Sequence, residues 1–264
     1  MVSGKAPGAT LTRGEATSVL KDFVQTIVES GPPTDAEWEL AFQDEFDGES
    51  LNWDVWESQN GPSGHILSSR WPENAEVRDG TLRLITRKEQ KGGQDWTSAS
   101  VWVKRDVFMQ AFGYWECRYR YAAAPGLNNA WWMNAFYDNN DGPRAFEIDI
   151  NEGHYPNYIN STLHYREVTD GEVKTISDSK RYVAKEYLSA DFHVYGLEWT
   201  PEDLVYYLDG EEIERKPSRN AQLPVYPWVS TAVLAWGGPI TDRLDGKSMD
   251  VDWVRVWKKK PAGE

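Results

Sequence analysis

A chain of 264 residues holds one large all-β domain or two small ones, and its formal charge of −14 excludes nucleic acid and anionic membrane as partners, since both need a basic surface. The same balance disfavours a heavily sulfated polymer unless local arginines overrule it, and the single cysteine, Cys117, excludes an intramolecular disulfide. Aromatic residues are the outlier: 14 Trp, 13 Tyr and 8 Phe exceed what a core of this size needs, so some are expected to line a groove whose flat rings suit sugar C–H faces.

Residues 1–9 are small and polar and read as a disordered leader. Thr12-Arg13-Gly14-Glu15 makes a capping-box pattern ahead of Val19, Leu20, Phe23, Val24, Ile27 and Val28, which recur at helical spacing and predict one short amphipathic helix. Ser30-Gly31-Pro32-Pro33 ends it, so residues 1–33 are expected to be leader and helix, and 34–264 a separate domain. No run of 18 apolar residues is present to cross a membrane as a helix.

From Trp38 onward, short alternating runs are punctuated by Gly, Pro, Asn and Asp, the texture of a β-sandwich or barrel. Strands are predicted at 40–43, 75–77, 81–87, 98–104, 113–121, 130–137, 146–152, 159–165, 193–200, 204–208, 229–234 and 249–257. Asp79-Gly80 reads as a turn and Asp209-Gly210 as a two-residue hairpin loop. Cys117 falls on the apolar phase of its strand and reads as a small buried hydrophobe. About a dozen strands predict an all-β fold of two antiparallel sheets, one of them with a face open to solvent.

The stretch Ala145-Phe146-Glu147-Ile148-Asp149-Ile150-Asn151-Glu152-Gly153 organises the chain. Side chains alternate along a strand, so Glu147 and Asp149 share one face while Phe146, Ile148 and Ile150 share the other. Glu152 is out of phase by one residue, and a single β-bulge at Ile150-Asn151 would return it to the acidic face. The outer Cα atoms then lie about 13 Å apart, and glutamates leaning together could bring their carboxyls to the ~5–5.5 Å of a retaining glycosidase. Like charges in a row raise one another's pKa, which is costly unless the arrangement has a use. Two plainer readings stay open on the pattern alone: a solvated acidic face on an edge strand, and a calcium site.

These residues resemble a family. Glu147-Ile148-Asp149-Ile150-Asn151-Glu152 is similar to the E-x-D-x-x-E signature of glycoside hydrolase family 16 in its bulged form. Asp44-Glu45-Phe46-Asp47-Gly48, the segment 73–84, Trp96-Thr97-Ser98-Ala99, Phe112-Gly113-Tyr114-Trp115-Glu116, and the segments 126–133, 161–165, 193–201 and 251–257 agree in family order. The resemblance spans roughly residues 38–258.

It implies a concanavalin-A-like β-jelly-roll sandwich whose concave sheet forms a groove for a polysaccharide. By the same resemblance Glu147 is the nucleophile, Glu152 the general acid/base and Asp149 the acid between them that tunes protonation, roles that suit a retaining mechanism. Trp132 falls beside the scissile sugar and His164 near the acid/base; Trp71, Asn74, Arg87 and Trp236 are further groove candidates next to matched strands. No cofactor is implied for catalysis, but a structural Ca²⁺ away from the cleft is, in the segments of Glu45, Gly80 and Asp252. The implied protein is a monomer that is secreted, periplasmic or cell-surface, with its signal peptide absent from this sequence.

The bulged branch includes enzymes on β-1,3-glucans of the laminarin type and on red-algal galactans such as agar and porphyran. Trp96-Thr97-Ser98-Ala99 and Thr86-Arg87-Lys88-Glu89 look laminarinase-like. Asn128-Asn129-Ala130-Trp131-Trp132 lacks the usual Trp-Pro of that group, Gly142-Pro143-Arg144-Ala145-Phe146 lacks its Gly before the nucleophile, and the ending 251–257 is nearer to agarases and porphyranases. A galactan is therefore the leading expectation, with an endo-β-1,3-glucanase as the alternative. Arg70, Arg78, Arg83 and Arg87 are candidate sulfate partners, although strand arginines more often face solvent. Two other classes are a carbohydrate-binding sandwich without turnover and a calcium-dependent structural sandwich.

Overall fold

The computed structural model describes residues 31–32, 38–136, 144–169 and 172–260. The chain divides into two units, Met1–Gly31 and Pro32–Glu264. The leader and the helix expected before Ser30 lie outside the described residues, and every strand named below belongs to the second unit.

Its first strands are β1 (Trp38–Asp44), β2 (Trp56–Ser58), β3 (Ser68–Arg70), β4 (Ala75–Val77), β5 (Leu82–Ile85), β6 (Trp96–Ser98), β7 (Ser100–Val103) and β8 (Gly113–Arg120). Then come β9 (Leu127–Phe136), β10 (Arg144–His154), β11 (Tyr158–Thr169), β12 (Glu172–Val183), β13 (His193–Trp199), β14 (Asp203–Leu208), β15 (Glu211–Pro217), β16 (Trp228–Val233) and β17 (Ser248–Lys259). Two antiparallel sheets result. One runs β12-β11-β10-β9-β16-β7-β2; the other runs β15-β14-β13-β8-β17-β5-β4, with β1 added against β17. A small parallel pair, β3 with β6, stands beside them. Helical structure among the described residues is limited to short 3₁₀ turns, and no helix is long and apolar enough to cross a membrane.

Alternation decides which side chains fill the space between the sheets. Phe146 and Ile148 of β10, Trp131 and Met133 of β9, and Trp115, Cys117 and Tyr119 of β8 are all buried in one apolar cluster. Cys117 is thus the small core residue its phase indicated. Asp79-Gly80 and Asp209-Gly210 both place two consecutive residues at positive φ, as the tight turns of twisted hairpins require.

The sequence reading missed β2, β3 and β12. The first two are three residues long, too short for a period to register. Strand β12 is exposed along most of its length, so no buried phase marks it. Residues 98–104, expected as one strand, divide at Ala99 between β6 and β7, which pair with different neighbours.

Strand β10 lies in mid-sheet, hydrogen-bonded to β9 and β11. Its partners slip between Asp149 and Glu152, which is the bulge expected at Ile150-Asn151. This central place also disposes of the edge-strand reading of the acids.

Ile148 lies between Glu147 and Asp149 in sequence and packs in the core on the opposite face of the strand. Ile148→Ala should lower stability by about 2–5 kcal/mol, read as a lower urea midpoint with the m-value kept. An unchanged midpoint would contradict the burial of this side chain.

Candidate active site

On the outer face of the seven-stranded sheet, Glu147, Asp149 and Glu152 line one cleft of about 190 Å³ together with His65, Arg70, Asn128, Trp132, Arg144 and Trp236. The acids sit in different company along the strand. Glu147 is ion-paired with Arg144, and His164 Nε2 lies 3.9 Å from Glu147 Oε1 and 3.2 Å from Asp149 Oδ2. His164 is anchored from behind, its Nδ1 2.7 Å from the Ser177 hydroxyl on β12. Glu152 instead accepts a hydrogen bond from the neutral Asn128 Nδ2 at 2.8 Å, and no salt bridge reaches it among the described residues.

Burial pushes the Glu147 carboxyl up to about 7, helped by the Asp149 charge and opposed by Arg144 and His164. Asp149 is raised by burial, against the pull of Arg144 and of Lys216. Glu152 is raised by burial and then by the Asp149 charge, with the Asn128 hydrogen bond opposing. Arg144 and His164 therefore stand against Glu147 and Asp149, whereas the direct partner of the Glu152 side chain is the uncharged Asn128 amide. Such a row can hold one ionised carboxylate and one protonated carboxyl at the same pH.

Trp132 is directly opposite Asp149 on β9, facing the cleft while its neighbour Trp131 fills the core. Its ring stacks on Trp228 of β16 at 4.2 Å between centroids, and Trp228 lies 4.4 Å from Trp102 of β7. The indole N–H groups donate to Ser230, Ser100 and Glu57 respectively for Trp132, Trp228 and Trp102. Trp102 and Trp228 escaped the sequence reading. Trp102 alternates with core residues Val101 and Val103, which was signal enough to put it on the outer face; Trp228 fell one residue before the strand predicted at 229–234.

The other groove candidates separate. Trp236 lines the cleft, 57 % exposed and edge-on to His154. Trp71, Asn74 and Arg87 are not among the cleft residues. Asn74 is fully buried and its amide donates to the Ile85 carbonyl and to Thr97 Oγ1, so it ties the β4–β5 hairpin to β6 and has no face left for a sugar. Arg87 is bound to Glu76 and to the Glu73 carbonyl, and Trp71 lies under the Lys91 ammonium with its N–H on Ser69.

Among the four candidate sulfate arginines, Arg78 pairs with Asp79, Arg83 with Asp250 and Arg87 with Glu76, all away from the cleft. Arg70 alone lines it. It is buried, donates from Nε to the Thr231 carbonyl at 3.2 Å, and has no carboxylate partner among the described residues. Burial pulls its pKa down to about 10.

A family model described as "Beta-porphyranase A-D, GH16 domain" matches residues 38–259. The chain belongs to glycoside hydrolase family 16. A β-glucanase of Rhodothermus marinus is 29% identical over 248 residues, covering 84% of this chain and 85% of that protein. β-Porphyranase B of Zobellia galactanivorans is 24% identical over 258 residues, covering 84% and 85%. The solved laminarinase of Rhodothermus marinus superposes with a TM-score of 0.74 at 26% identity, covering 85% of this chain and 98% of that one. The fold is thus the family-16 jelly-roll sandwich, and the protein is a glycoside hydrolase.

Family 16 needs no catalytic cofactor. The structural Ca²⁺ expected at Glu45, Gly80 and Asp252 does not fit the residues present. Glu45 is held by both arms of the Arg255 guanidinium at 2.8 and 2.9 Å, and Asp252 is ion-paired with Arg118. A calcium ion needs six to eight oxygens and negative charge, and both carboxylates are already neutralised. Gly80 serves the hairpin turn. Glu147, Asp149 and His164 do bring ligand atoms within 4.8 Å of one another, but Arg144 already occupies Glu147.

These charges set two outcomes. Chelation with EDTA should leave the melting temperature unchanged; a fall reversed by Ca²⁺ would contradict the arginine-neutralised carboxylates. For Glu147 the folded pKa lies above the unfolded one, so folding takes up a proton, and stability falls as pH rises from about 4.5 to about 7. Glu147→Gln should therefore melt higher than wild type at pH 8, by the equivalent of a few kcal/mol, with the gain vanishing below about pH 4.5.

Proposed function

We propose that this enzyme is a retaining endo-β-glycanase that cleaves an anionic β-galactan of the porphyran type by double displacement. Glu147, kept available as a carboxylate by Arg144 and His164, attacks the anomeric carbon. Glu152, hydrogen-bonded to the uncharged Asn128 amide, gives its proton to the departing glycosidic oxygen. A glycosyl ester on Glu147 results. Glu152, now ionised, takes a proton from a water molecule whose oxygen attacks the same carbon, and Glu147 leaves as a carboxylate. Asp149 lies between them, and its charge raises the pKa of both, which favours a retained proton on Glu152. A cleft open along the sheet face suits attack within a chain rather than at its end. A polymeric substrate also favours action outside the cytoplasm.

The observation that carries the substrate class is Arg70. A buried guanidinium without a carboxylate is costly, and a sulfate ester seated in the cleft would supply the missing anion through two parallel hydrogen bonds. A neutral glucan offers nothing equivalent. The porphyranase family model supports the same reading. The R. marinus β-glucanase, more similar in sequence than the porphyranase, favours the second reading, an endo-β-1,3-glucanase.

The test is reducing-end release from porphyran, agarose, κ-carrageenan, laminarin and mixed-linkage glucan by wild type, Glu147→Gln and Arg70→Ala. Porphyran should be cleaved, Glu147→Gln should be almost inactive while still binding, and Arg70→Ala should raise KM on the sulfated polymer about 10- to 100-fold. Cleavage of laminarin alone would establish the glucanase reading instead.

A further inference from the structure

We propose that Asn151, held by Tyr119 and Tyr121, is a positioning residue for Glu152: its buried amide locks the bulge that turns the general acid into the cleft. This rests on the reading of Glu152 as the acid/base.

Strict alternation would put Glu152 on the same face as Ile148 and Ile150, inside the sandwich. Only the extra residue at Ile150-Asn151 returns it to the outer face. A bulge breaks ladder pairs, so it persists where other contacts over-determine it. Asn151 is fully buried, and its Nδ2 donates to the Tyr119 hydroxyl at 2.6 Å and to the Tyr121 hydroxyl at 2.7 Å. Both tyrosines come from the opposite sheet, Tyr119 within β8 and Tyr121 just after it. Their rings pack with Tyr195 in a buried group, Tyr119 on Tyr195 at 4.1 Å.

In this core the Asn151 Nδ2 has the two phenols as its hydrogen-bond partners. Sliding the bulge by one residue would break both hydrogen bonds and bury Glu152 in their place. The polar trio and the strand register therefore specify each other.

Contacts around the bulge agree. Ser161 Oγ donates to the Ile150 carbonyl at 3.2 Å, Asn160 Nδ2 to the Glu152 carbonyl at 2.7 Å, and Asn129 Nδ2 to the Gly153 carbonyl at 3.0 Å. Tyr121 also donates to the Tyr158 carbonyl at 3.2 Å. A Cβ on Gly153 would stand 2.3 Å from the Tyr121 ring, so this tyrosine occupies the space of the missing side chain. A displacement of about 1 Å at a reacting group can cost about 100-fold in rate.

The experiment compares Asn151→Leu, Tyr119→Phe and Tyr121→Phe with wild type and Glu152→Ala. Each is assayed on the polymer that the wild type cleaves, and on the 2,4-dinitrophenyl β-glycoside of the disaccharide released from it. Dinitrophenolate leaves without a proton, so its burst reports attack by Glu147 alone. Asn151→Leu should lower kcat on the polymer about 10- to 100-fold at nearly constant KM, and leave the burst rate within about threefold. Each Tyr→Phe change, which removes one of the two acceptors, should show the same split at about 3- to 10-fold, and carries the test if Asn151→Leu fails to fold. Wild-type rates on the polymer in the variants that fold would overturn the proposal. So would equal losses on both substrates that track a fall in melting temperature, which would mean a packing role only. Glu152→Ala separates the two levels: full activity there removes the acid role itself, whereas its loss beside active Asn151 and Tyr variants removes only the positioning role.

Discussion

Three carboxyl groups taken out of water on one strand are the constraint on which the rest of this structure depends. The strand carrying them must lie in mid-sheet, because only there can neighbours on both sides bring polar groups to the row. A cation placed beside each acid would fix all three as anions and leave no proton to donate. Instead Arg144 and His164 stand against Glu147 and Asp149 and an uncharged amide meets Glu152, an asymmetry that suits the two roles proposed for the glutamates. The same strand's opposite face is apolar, and the sandwich interior is built on it.

Charges elsewhere in the molecule are handled differently. Lys216 and Glu214, both buried, form a salt bridge at 2.8 Å, and Glu45 with Arg255 and Asp252 with Arg118 are paired likewise. Those pairs hold strands together and have no proton to exchange. Arg70 departs from that habit, buried in the cleft without an acid, and this contrast is what directs the substrate reading toward an anionic sugar.

Much of this was legible in the sequence because the signals were local. The alternation from Phe146 to Asp149 and the phase break before Glu152 gave the acid row and the bulge, and the Asp-Gly pairs gave their turns. Trp132 came from family order and lines the cleft, and His164, expected near Glu152, stands instead against Asp149 and Glu147. What stayed hidden depends on partners distant in sequence. Asn74 and Arg87 sit beside matched strands yet are held by Ile85, Thr97, Glu73 and Glu76, and whether Glu45 and Asp252 are free for a cation depends on Arg255 and Arg118. Strand β12, mostly solvated, had no periodic burial to betray it.

The bulge looks different from its two sides. Adding one residue to a strand ordinarily inverts every side chain beyond it, yet here Ile150 and Asn151 both turn inward and Glu152 emerges on the side it would occupy if either were deleted. Seen from the groove, the insertion is silent. Seen from the interior it is an extra polar side chain that two tyrosines accommodate, so what the groove conceals the core behind it displays.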